Sequence, residues 1–236
     1  MNGLRSVLFA LLVPTLAGEA IAAERRLSVT DFDRVRVIGS TQVDIVKGRA
    51  VSAFASGSAE ALDDLVVEVI DRELIVQPRA RVASTWSGNG GQPARVRVTV
   101  PRLTSVRVSG SASVTVAELI AGSIAMAVTG AGRLDVKSAI ADRATLALTG
   151  SGTLVASGKV KSLLAGIKGS GQVEAATLVA DDLTVTAATS GELALTANRS
   201  ASVTSSGSGT VTISGSPACT VSNSGSGEVR CGRDAK

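Results

Sequence analysis

Residues 144–175, ATLALTGSGTLVASGKVKSLLAGIKGSGQVEA, contain two copies of one motif. The motif consists of a strand, a glycine-rich turn and a second strand. Apolar residues occupy every second position before the turn that starts at Gly150, and again before the turn that starts at Gly169. A period of two is typical of a half-buried strand, and glycine permits a tight turn between strands. The stretch therefore predicts short strands joined at glycine corners.

The same Gly-Ser-Gly-type corner occurs seven times in the C-terminal half of the chain. The corners start at Gly110, Gly130, Gly150, Gly169, Thr189, Gly207 and Gly225, with spacings of 20, 20, 19, 20, 18 and 18 residues. The positions that we predict to face inward after the corners are Val114, Val116, Leu134, Val136, Leu154, Ala156, Val173, Ala175, Leu193, Leu195, Val211, Ile213, Val229 and Cys231. A repeat this short cannot bury its apolar face alone and must stack on its neighbours. We predict an all-β fold, a parallel β-helix or solenoid with about 4.8 Å between coils.

Residues 27–108 form a β-rich N-terminal segment without this repeat, ahead of the solenoid over residues 109–231. Apolar stretches on both sides of Asp71-Arg72 predict a hairpin, and the alternation over residues 95–100 predicts a strand that Pro101 ends. Because the ends of a solenoid expose unpaired strand edges, we expect this segment to cover one end. A sandwich or barrel of hairpins is the alternative, but it would place turns about every 8–12 residues.

The N-terminus is typical of an export signal. Arg5 precedes an apolar run over residues 7–17, and Ala20-Ile21-Ala22, with small residues at its first and last positions, forms a cleavage site. We predict that residues 1–22 are a signal peptide and that residues 23–236 are one exported β-solenoid domain, in the periplasm or outside the cell. The apolar run is too short to cross a bilayer core of about 30 Å as a helix, so no membrane span is predicted.

The composition excludes several classes of function. The chain has no histidine, which rules out a Ser-His-Asp triad, a Cys-His pair and a histidine-ligated zinc site. It has one Trp, no Tyr and three Phe, too few aromatic rings for nucleic-acid binding or for platforms that stack sugars. The single Trp86 lies in the glycine-rich stretch of residues 84–93. We expect its side chain to fold over the end of the solenoid rather than to contact a ligand. We predict no catalytic residue, no metal ligand and no cofactor.

The two cysteines are placed symmetrically about the last corner. Cys219 lies six residues before Gly225 and Cys231 six residues after it, both at positions predicted to face inward. In an exported protein such a pair favours a disulfide. We predict a Cys219–Cys231 disulfide that stabilises the last coil by about 2–3 kcal/mol.

The order of motifs along residues 27–231 resembles a known family. Residues 32–39 read F-x-x-V-x-V-x-G, residues 98–103 read VTVPRL, and VSGS at residues 108–111 then leads into the repeated corners. This order resembles the DUF2807 family, the putative auto-transporter adhesin head domain, also called the GIN domain. The resemblance implies a right-handed parallel β-helix similar to pectin-lyase-like folds, an adhesive role and no recognised catalytic residue.

The function that these patterns favour is a non-enzymatic, exported protein of the cell envelope or surface, adhesin-like or structural. It would bind through a repetitive face of the solenoid. Its partners are left open, with envelope or cell-surface glycans and proteins as candidates, and exposed strand edges make a homo-oligomer an option.

Two alternatives are kept. A polysaccharide-active lyase or hydrolase needs clustered carboxylates, and Asp135 and Glu174 share an outward column two coils apart, about 10 Å, with Val155 between them. An ice-binding solenoid needs a flat threonine ladder. The outward threonines are Thr115, Thr145, Thr184, Thr186, Thr204 and Thr212, and we expect Arg133, Asp135 and Glu174 to interrupt their ladder.

Overall fold

A computed structural model describes residues 23–79 and 94–232. The N-terminal segment contains β1 (Ala23–Leu27), β2 (Arg34–Gly39), β3 (Gln42–Lys47), β4 (Ser52–Gly57), α1 (Ala59–Asp63), β5 (Leu65–Ile70), β6 (Glu73–Pro78) and β7 (Arg95–Val100). The repeat segment contains β8 (Ser105–Gly110), β9 (Ser113–Val116), β10 (Leu119–Ile120), β11 (Ser123–Gly130), β12 (Arg133–Gly150), β13 (Thr153–Gly169), β14 (Gln172–Thr189), β15 (Glu192–Ser206), β16 (Thr210–Gly215), β17 (Ala218–Asn223) and β18 (Val229–Cys231). The expected signal peptide and Trp86 lie outside the described residues.

The strands stack in parallel into a β-solenoid of about 6 turns, as predicted. Each coil has a leading side, the strand that ends at a corner, and a trailing side, the strand that starts after it. A third side returns to the next coil, and the ladder register shifts where the long strands bend into it, for example between Val136 and Ala139. Each corner stacks on the next, so that Gly130, Gly150 and Gly169 lie in one column.

The core is the column of inward-facing side chains predicted from the alternation. On the leading side Leu146, Ala165 and Val185 stack in register and are buried. On the trailing side every predicted inward position from Val114 to Ile213 is buried as well. Val229 and Cys231 are only half-buried, because the described chain places no coil beyond them.

The corners follow the glycine pattern with one exception. The leading glycine of most corners has a positive φ, such as +119° at Gly169, a conformation that favours glycine. Thr189 replaces that glycine in one corner, and its hydroxyl donates a hydrogen bond to the Gly169 carbonyl at 3.0 Å while accepting one from the Gly191 amide at 2.9 Å. Gly39 forms a further corner in the same column, aligned with Gly110, that the repeat count does not include.

The N-terminal segment covers one end of the solenoid, and its coils are not stacked in sequence order. β2 lies between β6 and β8, and β3 lies between β7 and β9, so the first coil along the chain is the second in space. Antiparallel strands close this end, with β4 on β7, β1 on β4 and β5 on β6. The hairpin predicted at Asp71-Arg72 is confirmed, and both residues have positive φ. Leu62 of α1 is buried beneath this cap.

The Cys219–Cys231 disulfide is present and joins β17 to β18, with 6.3 Å between the Cα atoms. Both cysteines take the predicted inward positions, but neither is buried. Cys219 takes the inward position, aligned with the buried Ala201, yet it is exposed because the described residues provide no further coil to cover it. The disulfide therefore joins the last two strands at an end of the solenoid that no described coil covers.

Replacing both Cys219 and Cys231 with serine is expected to release the last coil without unfolding the rest. Removing a disulfide that closes a loop of this length lowers the local stability by about 2–3 kcal/mol. The loss stays local because coils in a solenoid contact only their neighbours. Hydrogen exchange should accelerate in β17 and β18 and stay unchanged in β12 and β13. Faster exchange in β12 and β13 would contradict a disulfide that acts only on the last coil.

Candidate functional site

A ladder of serine hydroxyls runs along the corner edge of the solenoid. The middle residues of the corners are Ser40, Ser111, Ala131, Ser151, Ser170, Ser190, Ser208 and Ser226. The backbone amides at the corners are used in the stack, since Ser170 donates its amide to the Gly150 carbonyl at 2.9 Å and Ser190 to the Gly169 carbonyl at 3.0 Å. The hydroxyls of Ser151, Ser170, Ser190 and Ser208 are exposed and bond to no other residue that the structure describes.

A shallow polar trough of about 620 Å³ lies between this ladder and the trailing side. It is lined by Ser151, Ser170, Gln172, Ser190, Gly191, Glu192, Ser208, Gly209, Thr210, Glu228 and Arg230. The four serines stand on successive coils, so the ladder within the trough extends for about 14 Å, three steps of strand spacing. The trough can therefore offer hydrogen-bond donors and acceptors at regular intervals to a chain lying along the solenoid axis.

The charges in the trough are paired at its C-terminal end. Arg230 donates two hydrogen bonds of 2.8 Å to the Glu228 carboxylate. This contact lowers the pKa of Glu228 below its ordinary value and raises the pKa of Arg230. Glu228 is therefore a carboxylate near neutral pH, suited to accept hydrogen bonds and unsuited to donate a proton.

Asp135 and Glu174 occupy the column predicted for them, and the structure does not bring them together. Asp135 aligns with Val155, and Val155 aligns with Glu174, so a whole coil separates the two carboxylates. Lys137 binds the Asp135 carboxylate at 2.7 Å. The trailing side has a second outward column, in which Glu192 and Glu228 lie on either side of Thr210. These two residues were not predicted as candidates. The same alternation of strand residues could have found them.

The outward threonines do not form one ladder, and the expected interruption holds on the trailing side alone, where Asp135 and Glu174 stand between Thr115 and Thr212. Thr145, Thr184, Thr186 and Thr204 lie on the leading side, whereas Thr115 and Thr212 lie on the trailing side with Arg133, Asp135 and Glu174. The sorting follows from the corner, because it puts residues before and after the turn on different faces. Thr184, Thr186, Ser202, Thr204, Thr220 and Ser222 form an exposed three-coil array of hydroxyls on the leading side.

Ion pairs lie on the surface of the bend between the third side and the leading side. Lys161 binds Asp142 at 2.7 Å, and Asp182 accepts hydrogen bonds from Arg199 and from the Ser200 hydroxyl, the latter at 2.7 Å. The bonds from Arg199 and then from Ser200 lower the pKa of Asp182 from 3.8 to about 2. Because the pKa is lower in the folded protein, the contribution of this contact to stability is present above pH 3.8 and is lost as the pH falls through about 2.

Replacing Arg199 with alanine is expected to raise the pKa of Asp182 back towards 3.8. The measurement is an NMR titration of the Asp182 carboxyl carbon. Replacing Lys161 with alanine is the control, since Lys161 binds Asp142, and it should leave the Asp182 titration unchanged. An Asp182 midpoint that stays near 2 without Arg199 would contradict the assigned cause.

The described ranges contain no group of three or more His, Cys, Asp or Glu side chains that could hold a metal ion. In the same ranges, no helix is both long enough and apolar enough to cross a membrane.

Comparison with known proteins agrees with this architecture. Residues 31–217 match the DUF2807 family, described as "putative auto-transporter adhesin, head GIN domain". No curated protein matches the chain. The chain is similar in structure to a putative adhesin of Bacteroides fragilis, with a TM-score of 0.78 and 18% identity over 90% of this chain and 97% of that one.

Two further solved structures share the fold at low identity. One is described as a putative lipid binding protein of Parabacteroides distasonis, with a TM-score of 0.68 and 17% identity over 90% of this chain and 97% of that one. The other is a putative adhesin of Parabacteroides merdae, with a TM-score of 0.64 and 17% identity over the same shares. At these identities the likeness establishes the fold alone.

Proposed function

Because the chain belongs to the DUF2807 family of putative auto-transporter adhesin head (GIN) domains, we propose that it is a non-enzymatic, exported, adhesin-like protein. It binds a linear glycan of the cell envelope or of another cell surface along the polar trough. The observation that carries this proposal is the ladder of exposed serine hydroxyls on four successive coils, beside Gln172, Glu192 and Thr210.

The chemistry of the trough favours an extended polymer over a compact ligand. The trough is open and shallow, and its polar groups recur once per coil. An extended glycan presents hydroxyl groups at regular intervals, each able to donate and accept hydrogen bonds with serine. Individual contacts of this kind are weak, but contacts made by one chain to successive coils act together.

The carboxylates favour binding over glycan cleavage. A glycosidase needs one carboxyl group with a raised pKa and a second carboxylate beside it. The pKa of Glu228 is lowered by Arg230, and Asp135 is held by Lys137 with a full coil between it and Glu174. Release of uronate or reducing sugar from an acidic polysaccharide, abolished by Glu174→Ala, would support the enzyme alternative instead.

A glycan array tests the proposal with two triple variants. Ser170→Ala, Ser190→Ala and Ser208→Ala together remove three trough hydroxyls, and we expect affinity for the bound glycan to fall about tenfold or more. Thr184→Ala, Ser202→Ala and Thr220→Ala remove three exposed hydroxyls on successive coils of the leading side and should leave binding unchanged. Equal loss in both variants, or no glycan bound by the wild-type protein, would contradict the assignment.

The hydroxyl array on the leading side favours ice binding as a second candidate. Three pairs of hydroxyls stack in register there. In the columns that start at Ala125, Ala127 and Thr129 and run to the last described coil, Lys168 is the one charged residue. Thermal hysteresis that disappears in the leading-side triple variant would support this function.

A further inference from the structure

The two ends of the solenoid differ in how their strand edges are protected. At the N-terminal end the outermost strands are β5 on the leading side and β1 on the trailing side. β1 carries Glu24, Arg25 and Arg26, and Arg25 binds Asp63 of α1 at 2.9 Å. Charged side chains and a covering helix are the usual means of keeping an edge strand from pairing with another chain. The β1 edge is therefore protected, and the β5 edge carries one charged residue, Glu68.

At the C-terminal end, the leading-side strand β17 has none of these protections in the residues that the structure describes. There, β17 pairs with β15 alone, and every residue of Ala218–Asn223 is exposed. The strand contains no charged residue and no proline. Such an edge presents unpaired amide and carbonyl groups in a straight row, ready to pair with a further strand.

The inward face of the same strand is an unfinished core, meaning that it continues the core column but is not covered by a further described coil. Val221 is 44% exposed, whereas Val203, one coil above it in the same column, is 1% exposed. Cys219, the other inward residue that continues the core column, is exposed as well. The disulfide to Cys231 ties β17 to the last coil and so holds this edge in position before any partner arrives.

We propose that β17 pairs antiparallel with β17 of a second copy, so that the protein forms a tail-to-tail dimer. Pairing centred on Thr220 places Cys219 opposite Val221 of the second copy on the inward side. It places Ala218 opposite Ser222 of the second copy on the outward side. Both cores then meet through apolar or sulfur-containing side chains, and no like charges face each other.

The two-fold arrangement follows from the leading-side strand that each end offers. A head-to-tail contact would bring β17 against β5, whose exposed Glu68 puts a charge on that edge, and would continue into an open filament. A two-fold contact uses the same unprotected strand twice and closes after two copies. The resulting dimer carries two troughs, although its formation does not depend on what they bind.

Size-exclusion chromatography with light scattering tests the proposal on the full chain over a wide range of concentration. We expect a mass of twice the 23.6 kDa chain, before any loss of the signal peptide. Val221→Lys puts a charge on the unfinished core and should give a monomer with an unchanged circular dichroism spectrum. The matched control is Ile70→Lys, since Ile70 is 50% exposed on β5 at the opposite end of the solenoid, and it should leave the dimer intact.

Hydrogen exchange provides a second measurement on the unmodified protein. Amides of Ala218–Asn223 should exchange more slowly at high protein concentration than at low concentration, while those of β1 do not change. A monomer at every concentration would overturn the proposal and leave the edge to a strand of another protein. A dimer that survives Val221→Lys, or one that Ile70→Lys dissociates, would overturn it as well.

Discussion

Replacing Gly150 with alanine is expected to lower the free energy of unfolding by about 3–5 kcal/mol. Gly150 has a φ of +117°, a conformation that residues with a side chain rarely adopt. A Cβ atom at this position would lie 2.5 Å from the Gly130 carbonyl oxygen and 3.1 Å from two other backbone atoms of Gly130. Since those atoms are fixed in the stack of corners, the neighbouring coil cannot move away without breaking its own ladder.

Gly166 provides the control for this substitution. It lies on the leading side of the next coil, and no atom beyond Gly166 and its two chain neighbours lies within 4 Å of the position that a Cβ atom would take there. Gly166→Ala should therefore change stability by less than about 1 kcal/mol. Urea denaturation followed by circular dichroism measures both variants. Similar losses of unfolding free energy in the Gly150 and Gly166 variants would mean that the corner geometry is not what requires glycine.

Replacing Leu146 with alanine is expected to cost about 2–5 kcal/mol of unfolding free energy. Leu146 is fully buried in the middle of the leading side, between Met126 and Ala165 in the core column. The solenoid backbone on either side is held by continuous ladders, so the space left by the side chain cannot collapse easily. A cavity therefore remains and adds to the loss of apolar burial.

Leu164→Ala is the matched control, because Leu164 is a leucine on the same side of the next coil that points outward and is 50% exposed. We expect it to cost less than about 1 kcal/mol, since much of its side chain is in water already. Thermal or urea unfolding compares the two variants directly. Equal costs would show that the side chains of this strand do not alternate between core and solvent.

The repeat segment is predictable from sequence because its signal is local. Alternation fixes which side chains face inward, and a glycine corner fixes where one side ends and the next begins. Leu154, Val173 and Leu193 are buried as predicted for that reason. The disulfide followed from the same pattern, which placed Cys219 and Cys231 symmetrically about one corner.

The stacking order of the N-terminal segment is not readable from the same pattern. β2, β6 and β8 alternate in the same way, so each could pair with either of the others. Their order depends on contacts between strands far apart in the chain, which a period of two does not encode. The exposure of Cys219 likewise depends on whether another coil covers it.

The candidate trough was predictable only in outline. The serine at the middle of each corner is visible in the sequence, but its position beside Gln172 and Glu192 depends on how far each corner turns. The threonines illustrate the same limit, since Thr145 and Thr115 look equivalent as outward residues until the corner places them on different sides. Outward positions carry no burial constraint that would reveal their neighbours.

The most direct test of the proposed function is calorimetric titration with a length series of the glycan that the array selects. A trough that repeats once per coil predicts that the affinity rises with each added sugar until the ladder from Ser151 to Ser208 is spanned, and then stays constant. The glycan should be recovered uncut. An affinity that does not depend on length, or recovery of shortened products, would contradict binding along the trough by a non-enzymatic adhesin.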